Sequence, residues 1–248
     1  MRTGTDRAAL TFALIVCSLT FARAEEPTLP CSFEKSAVIV CKNGVHNYRV
    51  IRESLSRTGK LAVAWTTKNP DDMLKSELQE DEAFNLFSEI QNVVIRIPDG
   101  KVMKELGSAH YGDAQRYIHD SHNAIWSERD QWLVVATDKR WETDTANAYY
   151  FFDDGTVQGP FDLMKICTEA AQKLFARERK RLEWKYFSNR IDVKGINMSG
   201  VLRATFTMYV PRSIEKDEFL QADMAFQLKS EPNGIVAKIT SIKKSRDP

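Results

Sequence analysis

The chain of 248 residues lacks the local signatures that announce a reaction. It contains no Gly-x-Gly-x-x-Gly, no Gly-x-x-x-x-Gly-Lys-Ser/Thr and no Gly-x-Ser-x-Gly, so nothing local points to a dinucleotide site, a P-loop or a hydrolase nucleophile elbow. It also lacks an excess of either charge. Lysine and arginine number 35 against 34 acidic residues, and a nucleic-acid partner, which needs a basic excess, is not expected. Beyond the first two dozen residues no apolar run approaches the roughly 20 residues that span a bilayer. Cysteine is scarce, at four residues.

What is present begins with an export signal. Arg2 and Arg7 precede an apolar run over 8–21, and Ala22-Arg23-Ala24 supplies a small-x-small cleavage site. Residues 1–24 are therefore expected to be removed, leaving a soluble chain in the periplasm or outside the cell, with no membrane span. Cys17 does not mark a lipoprotein, because Val16 is too large for that processing. Of the remaining cysteines, Cys31 and Cys41 suit a disulfide across a short loop in an oxidising compartment. Cys167 falls on the apolar side of an expected helix and reads as a core residue. Pairing of Cys167 with either of the others stays open, since connectivity is not encoded in spacing.

Residues 25–159 read as a β-repeat region. Strand 37–41, the turn Lys42-Asn43-Gly44 and strand 45–51 form a first hairpin. The turn Ser56-Arg57-Thr58-Gly59-Lys60 leads into the apolar strand 61–65. A helix is expected within 69–92, capped by Asp71 or Asp72, with Leu74, Leu78, Phe84, Phe87 and Ile90 near helical spacing. Strand 93–97 then ends at Pro98-Asp99-Gly100-Lys101. The order recurs: Ser127-Glu128-Arg129-Asp130-Gln131 precedes the apolar strand 132–136, and strand 148–152 closes at Asp153-Asp154-Gly155. Ser127 follows Ser56 by 71 positions, whereas the two Asp-Gly turns lie 55 apart, so the first copy holds a 16-residue helical insertion.

Trp126-Ser127, Asp130, Ser56, Gly59 and Lys60 carry a resemblance to the blade repeats of WD40-like, TolB-type β-propellers, over residues 45–158. That family opens a strand with Trp-Ser-Pro-Asp-Gly-Lys and closes the next with Asp-Gly. Here Arg57 and Glu128 replace the proline, and Leu55 replaces the first tryptophan. The resemblance implies blade-like four-stranded units. Two repeats fall short of the roughly 4–8 blades of a closed propeller.

Residues 160–248 change character. Asp162 is a good N-cap for an amphipathic helix with Leu163, Ile166, Cys167, Ala170, Ala171 and Leu174 on one face, running to about Lys185. Strands at 190–193, 201–210, 219–228 and 235–242 follow, separated by turn residues. The expected fold class is α+β and β-rich: two blade-like antiparallel β units, one long amphipathic helix and a C-terminal antiparallel β meander, without a complete propeller.

Two constellations invite function. His110, Asp113, His119, Asp120 and His122 cluster before the second repeat; His110, His119 and His122 are the candidate ligands for a divalent metal, although their spacing matches no zinc signature. Trp141 and Tyr149 are the candidate ligand-binding aromatics. The leading expectation is an exported, non-catalytic interaction module without a cofactor, binding an envelope or extracellular protein or glycan. The alternative is a metal-dependent enzyme built on the three histidines.

Overall fold

The computed structural model describes residues 31–34, 38–42, 47–50, 52–66, 91–97, 99–106, 121–138, 142–181, 188–209 and 219–245. The expected signal segment, the expected helix within 69–92, His110, His119 and Trp141 lie outside them.

The described strands form three antiparallel sheets, each a simple meander. The first has six strands: β1 (Cys31–Glu34), β2 (Val38–Lys42), β3 (Asn47–Val50), β4 (Leu61–Thr66), β5 (Gln91–Arg96) and β6 (Lys101–Glu105). The second has four: β7 (Ser121–Trp126), β8 (Trp132–Asp138), β9 (Thr143–Phe151) and β10 (Val157–Asp162). The helices α1 (Leu163–Leu174) and α2 (Ala176–Arg181) lead to the third sheet, β11 (Ser188–Ile196), β12 (Val201–Tyr209), β13 (Phe219–Glu231) and β14 (Gly234–Lys244). The architecture is thus the expected β-rich α+β type, with blade-like meanders and no closed propeller. No helix among the described residues is long and apolar enough to cross a membrane.

The second sheet is the middle layer, buried on both faces. Strand alternation explains how. Leu133 and Val135 of β8, with Tyr149 and Phe151 of β9, pack against Val63 and Trp65 of β4 and Val94 of β5. Trp132, Val134 and Ala136, with Ala146 and Ala148, face the opposite way, onto α1 and the third sheet. That double burial is why 132–136 reads as an unbroken apolar run rather than an alternating one. The far face of the first sheet is buried too, through Tyr48, Val50, Ala62, Ala64, Val93 and Ile95.

The largest core crosses the expected boundary at 159/160: the middle sheet supplies one wall, and Phe206, Met208, Phe226 and Leu228 supply the other. The division at that point follows chain order and not packing. Strands β1, β6, β7 and β10 had no counterpart in the sequence reading. Strand β10 contains Gly159 and Pro160 and changes register between Gln158 and Phe161, so turn-forming residues sit inside a strand at the sheet edge. The amphipathic helix forms where its apolar stripe places it, with Asp162 accepting the Lys165 N–H at 3.0 Å. It stops short of the expected end. Phe175 leaves helical geometry and inserts its ring into the core, and the Lys244 ammonium lies 5.5 Å over that ring. Lys244 also pairs with Glu178 of α2, which ties the helix pair to β14.

Backbone register sets Cys31 directly opposite Cys41. Directly opposed residues of an antiparallel pair have Cα atoms about 4.5–5.5 Å apart, within the range a disulfide spans.

Two buried groups give the packing a pH signature. Burial, reinforced by the Asp162 carboxylate, pushes the Cys167 thiol up to about 12 from its ordinary 9.0. Burial alone pushes the Tyr149 phenol up to about 12 from 10.0. Both are neutral when protonated, so their contribution to stability is complete below the unfolded values and is lost as pH rises toward the folded ones. Unfolding free energy is expected to fall progressively between pH 9 and about 12, and Cys167 to resist alkylation near pH 8 until urea unfolds the chain. Denaturant titrations flat across that window, or prompt native-state alkylation of Cys167, contradict the packing.

Candidate functional site

The site is built from three hairpin turns that share one hydrogen-bond scheme. In the first, the Ser56 N–H donates to the Leu61 carbonyl at 2.8 Å, and the Leu61 N–H donates back to the Ser56 hydroxyl at 3.1 Å. The Gly59 N–H closes the turn on the Ser56 carbonyl at 3.0 Å. Seventy-one residues on, Ser127, Trp132 and Asp130 repeat the same three bonds at 3.0, 3.0 and 3.1 Å. A third turn, expected between C-terminal strands but not as a copy of the other two, uses Asn197, Val201 and Gly200. Its side-chain bond runs from the Val201 N–H to Asn197 Oδ1 at 2.8 Å, with one residue fewer in the turn. Each turn needs one residue at positive φ: Gly59 at 72°, Asp130 at 59° and Gly200 at 78°.

Asp130 is the departure from glycine at that position, and a side chain there is strained. Its carboxylate shows what holds it. Oδ2 accepts from the Ser56 hydroxyl at 2.8 Å and from the Thr58 hydroxyl, and Oδ1 accepts from the Thr58 N–H at 3.3 Å. The second turn thereby grips the first. Trp126 adds a parallel tie, donating its indole N–H to the Ser54 carbonyl at 2.8 Å. Ser54 in turn bridges to the Val63 backbone of β4, through bonds of 2.8 and 2.9 Å. On the other side, Glu128 Oε2 accepts the Met198 N–H at 3.2 Å, linking the second turn to the third.

A cleft of about 520 Å³ opens where the three units meet. The first unit contributes Glu53 of the 3₁₀ turn at Arg52–Ser54, with Leu55 and Arg57 just beyond. The middle sheet contributes the end of β7, Ala124 to Trp126, and the third sheet contributes Lys194 to Ile196 of β11. Half-buried Leu55 and Ile125 offer apolar contact within a mostly polar cleft, while Trp126 and Ile196 beside them are buried. Exposed Glu53, Arg57 and Lys194 give it a rim of both charge signs. Among the described residues β7 pairs only with β8, and β11 only with β12, so two open strand edges border the cleft. The chemistry on offer is recognition: apolar contact, ion pairing, and backbone hydrogen bonds along an edge.

The residues singled out from sequence fare differently. Tyr149 is 3 % exposed and packs between the first and second sheets, so its ring is a core element and not a recognition surface, which corrects the expectation. The strand period turns it inward together with Phe151. His122 lies in β7 opposite Thr137, while His110, His119 and Trp141 fall outside the described residues. Among the described residues no grouping of three or more histidine, cysteine or acidic side chains is placed to hold a metal. Glu53 and Lys194 went unmarked in the sequence, being isolated charges distant along the chain, and Arg57 stood out only as a replacement for proline. Asp130 did carry a signal, because at the 71-residue offset it replaces a glycine.

The chain matches no family model, no curated protein and no solved structure.

Truncating Asp130 strands the buried Ser56 hydroxyl, and frees the exposed Thr58 hydroxyl and amide, while leaving the strained backbone. Asp130→Ala is expected to cost about 2–4 kcal/mol of unfolding free energy. Asp130→Gly, which relieves the strain, should cost about 1 kcal/mol less. Urea denaturation showing both variants within about 0.5 kcal/mol of the wild type counts against the grip.

Proposed function

We propose that the protein is an exported, non-catalytic binding module that holds an extended segment of an envelope or extracellular protein in the cleft between its three β units. The observation that carries this reading is the cleft itself: apolar contact at Leu55 and Ile125 and a rim of both charge signs, bordered by edges of β7 and β11 that pair with no further strand among the described residues. An extended peptide laid along an open edge gains main-chain hydrogen bonds, and its alternate side chains meet Leu55 and Ile125. Glu53, Arg57 and Lys194 then select for charges of both signs on the bound segment.

Export rests on Arg2, Arg7, the apolar run and the Ala22-Arg23-Ala24 site, and the register of Cys31 opposite Cys41 suits an oxidising compartment. The likeness of the Ser56 and Ser127 turns to TolB-type blade repeats fits a scaffold of stacked meanders that presents loops and edges for binding.

The test is site-specific photo-crosslinking in the exported chain, with the probe at Arg57 on the rim or at exposed Phe152 away from it. A discrete protein adduct is expected from Arg57, weakened by Lys194→Glu, with none from Phe152. Equal adducts from the two positions, or no adduct from Arg57, contradict the proposal.

A further inference from the structure

The solvent face of the third sheet carries a feature that the cleft does not use. Two cross-strand rows lie side by side there. One runs Gly195, Arg203, Ala225, Ser241 across all four strands; the next runs Asp192, Thr205, Asp223, Lys243. Small residues dominate the first row. Gly195 borders the cleft, and Ala225 leaves a gap between longer neighbours. The result is an open hollow of about 590 Å³, bordered by Arg203, Lys243, Lys194, Thr205 and Ser241.

The charges around the hollow do not balance. Asp223, which lines the hollow directly opposite Lys243, keeps its negative charge while accepting from the Thr205 hydroxyl at 3.1 Å and the Ser245 hydroxyl at 3.0 Å, and with Arg203 and Lys243 both cationic the hollow is left with a net positive charge. Asp192 pairs with Lys194. Among the described residues Arg203 and Lys243 have neither a hydrogen bond nor an ion pair through their side chains, and both are exposed. They stand on strands two apart, about 10 Å at sheet spacing, with Ala225 and Asp223 of β13 between. Long flexible cationic side chains over that distance can converge on one anion between them.

Backbone irregularities flank this same row. The register shifts between Val193 and Gly195 in β11, and between Ala225 and Phe226 where β14 carries the extra residue Thr240. Thr240 is held by its hydroxyl on the Ala225 carbonyl at 3.1 Å. Bulges re-aim side chains and are enriched beside functional sites. Here they lie at both ends of the row that forms the hollow.

We infer that this hollow is an oxyanion-binding site for a phosphate ester on a small soluble molecule, with Arg203 and Lys243 as its cationic jaws and the Ser241 hydroxyl as a further donor. A guanidinium offers two parallel N–H donors to phosphate oxygens, and the ammonium supplies the opposing charge. The hollow has the volume of a small-molecule pocket and two jaws rather than a broad basic field, which favours a small ester over a membrane surface.

The experiment is an amide-resolved NMR titration of the whole chain with inorganic phosphate and with glucose 6-phosphate, at ionic strength held constant with chloride. Saturable shifts are expected at Gly195, Thr205 and Ala225, with dissociation constants in the millimolar range or below, of order 1 mM. The Arg203→Gln/Lys243→Gln variant should bind at least about tenfold more weakly, while a Lys173→Gln/Lys180→Gln variant of the helices binds as the wild type does. No saturable shift up to about 50 mM overturns the site. So do shifts that the jaw variant leaves unchanged, or a loss of folded dispersion in that variant alongside retained binding. Co-sedimentation with phosphatidylglycerol vesicles without any response to the soluble phosphates overturns it in favour of a lipid surface.

Discussion

The Asp130 carboxylate, closed on Ser56 and Thr58, is the interaction on which the arrangement of the units depends. It sits at a backbone position that favours glycine, so the chain carries local strain there in exchange for three hydrogen bonds between turns that are some seventy residues apart. A turn that closes only on itself could use glycine, as the first and third do. The second turn lies between its counterparts and reaches both ways, through Asp130 to the first and Glu128 to the third. The Trp126 indole reinforces the first of these ties from within the core, where its ring also packs at 5.3 Å against Phe151.

Fixing the turns fixes the layers. The middle sheet has no face of its own toward solvent, so its two neighbours must be held at a set distance for Leu133 and Val135 on one side and Trp132 and Val134 on the other to be covered. Gly200 shows how close that approach is: a Cβ there would come 2.4 Å from the Leu228 carbonyl oxygen and 3.2 Å from the Trp132 ring. The cleft is a consequence of the same geometry. The turns draw the units together, and among the described residues the edges of β7 and β11 beside them pair with no further strand.

Much of this was legible in the sequence, for identifiable reasons. The repeat of Ser56 at Ser127 was visible because a turn closed by a side chain constrains both residue type and spacing, and the hydrogen bonds of the two turns agree bond for bond. The stripe from Leu163 to Leu174 was visible because one face of α1 is buried. The third turn was visible in Met198-Ser199-Gly200, but its kinship with the other two was hidden because asparagine replaces serine and the turn is one residue shorter. Strand β10 was hidden by its own Gly159 and Pro160, and the end of α1 by Phe175, whose inward turn is a tertiary matter. The cleft was not legible at all. Its rim charges lie on the first and third units, and only the fold brings them together.

The central claim is that the grip of Asp130 makes the first and middle sheets one cooperative unit. Native-state hydrogen exchange tests this most directly, by comparing amides of β4 at Val63 and Ala64 with those of β8 at Val134 and Val135. The account predicts that both sets exchange through the same opening, with one free energy and one denaturant dependence. Earlier exchange of the β4 amides, through a separate opening that leaves β8 protected, would contradict it.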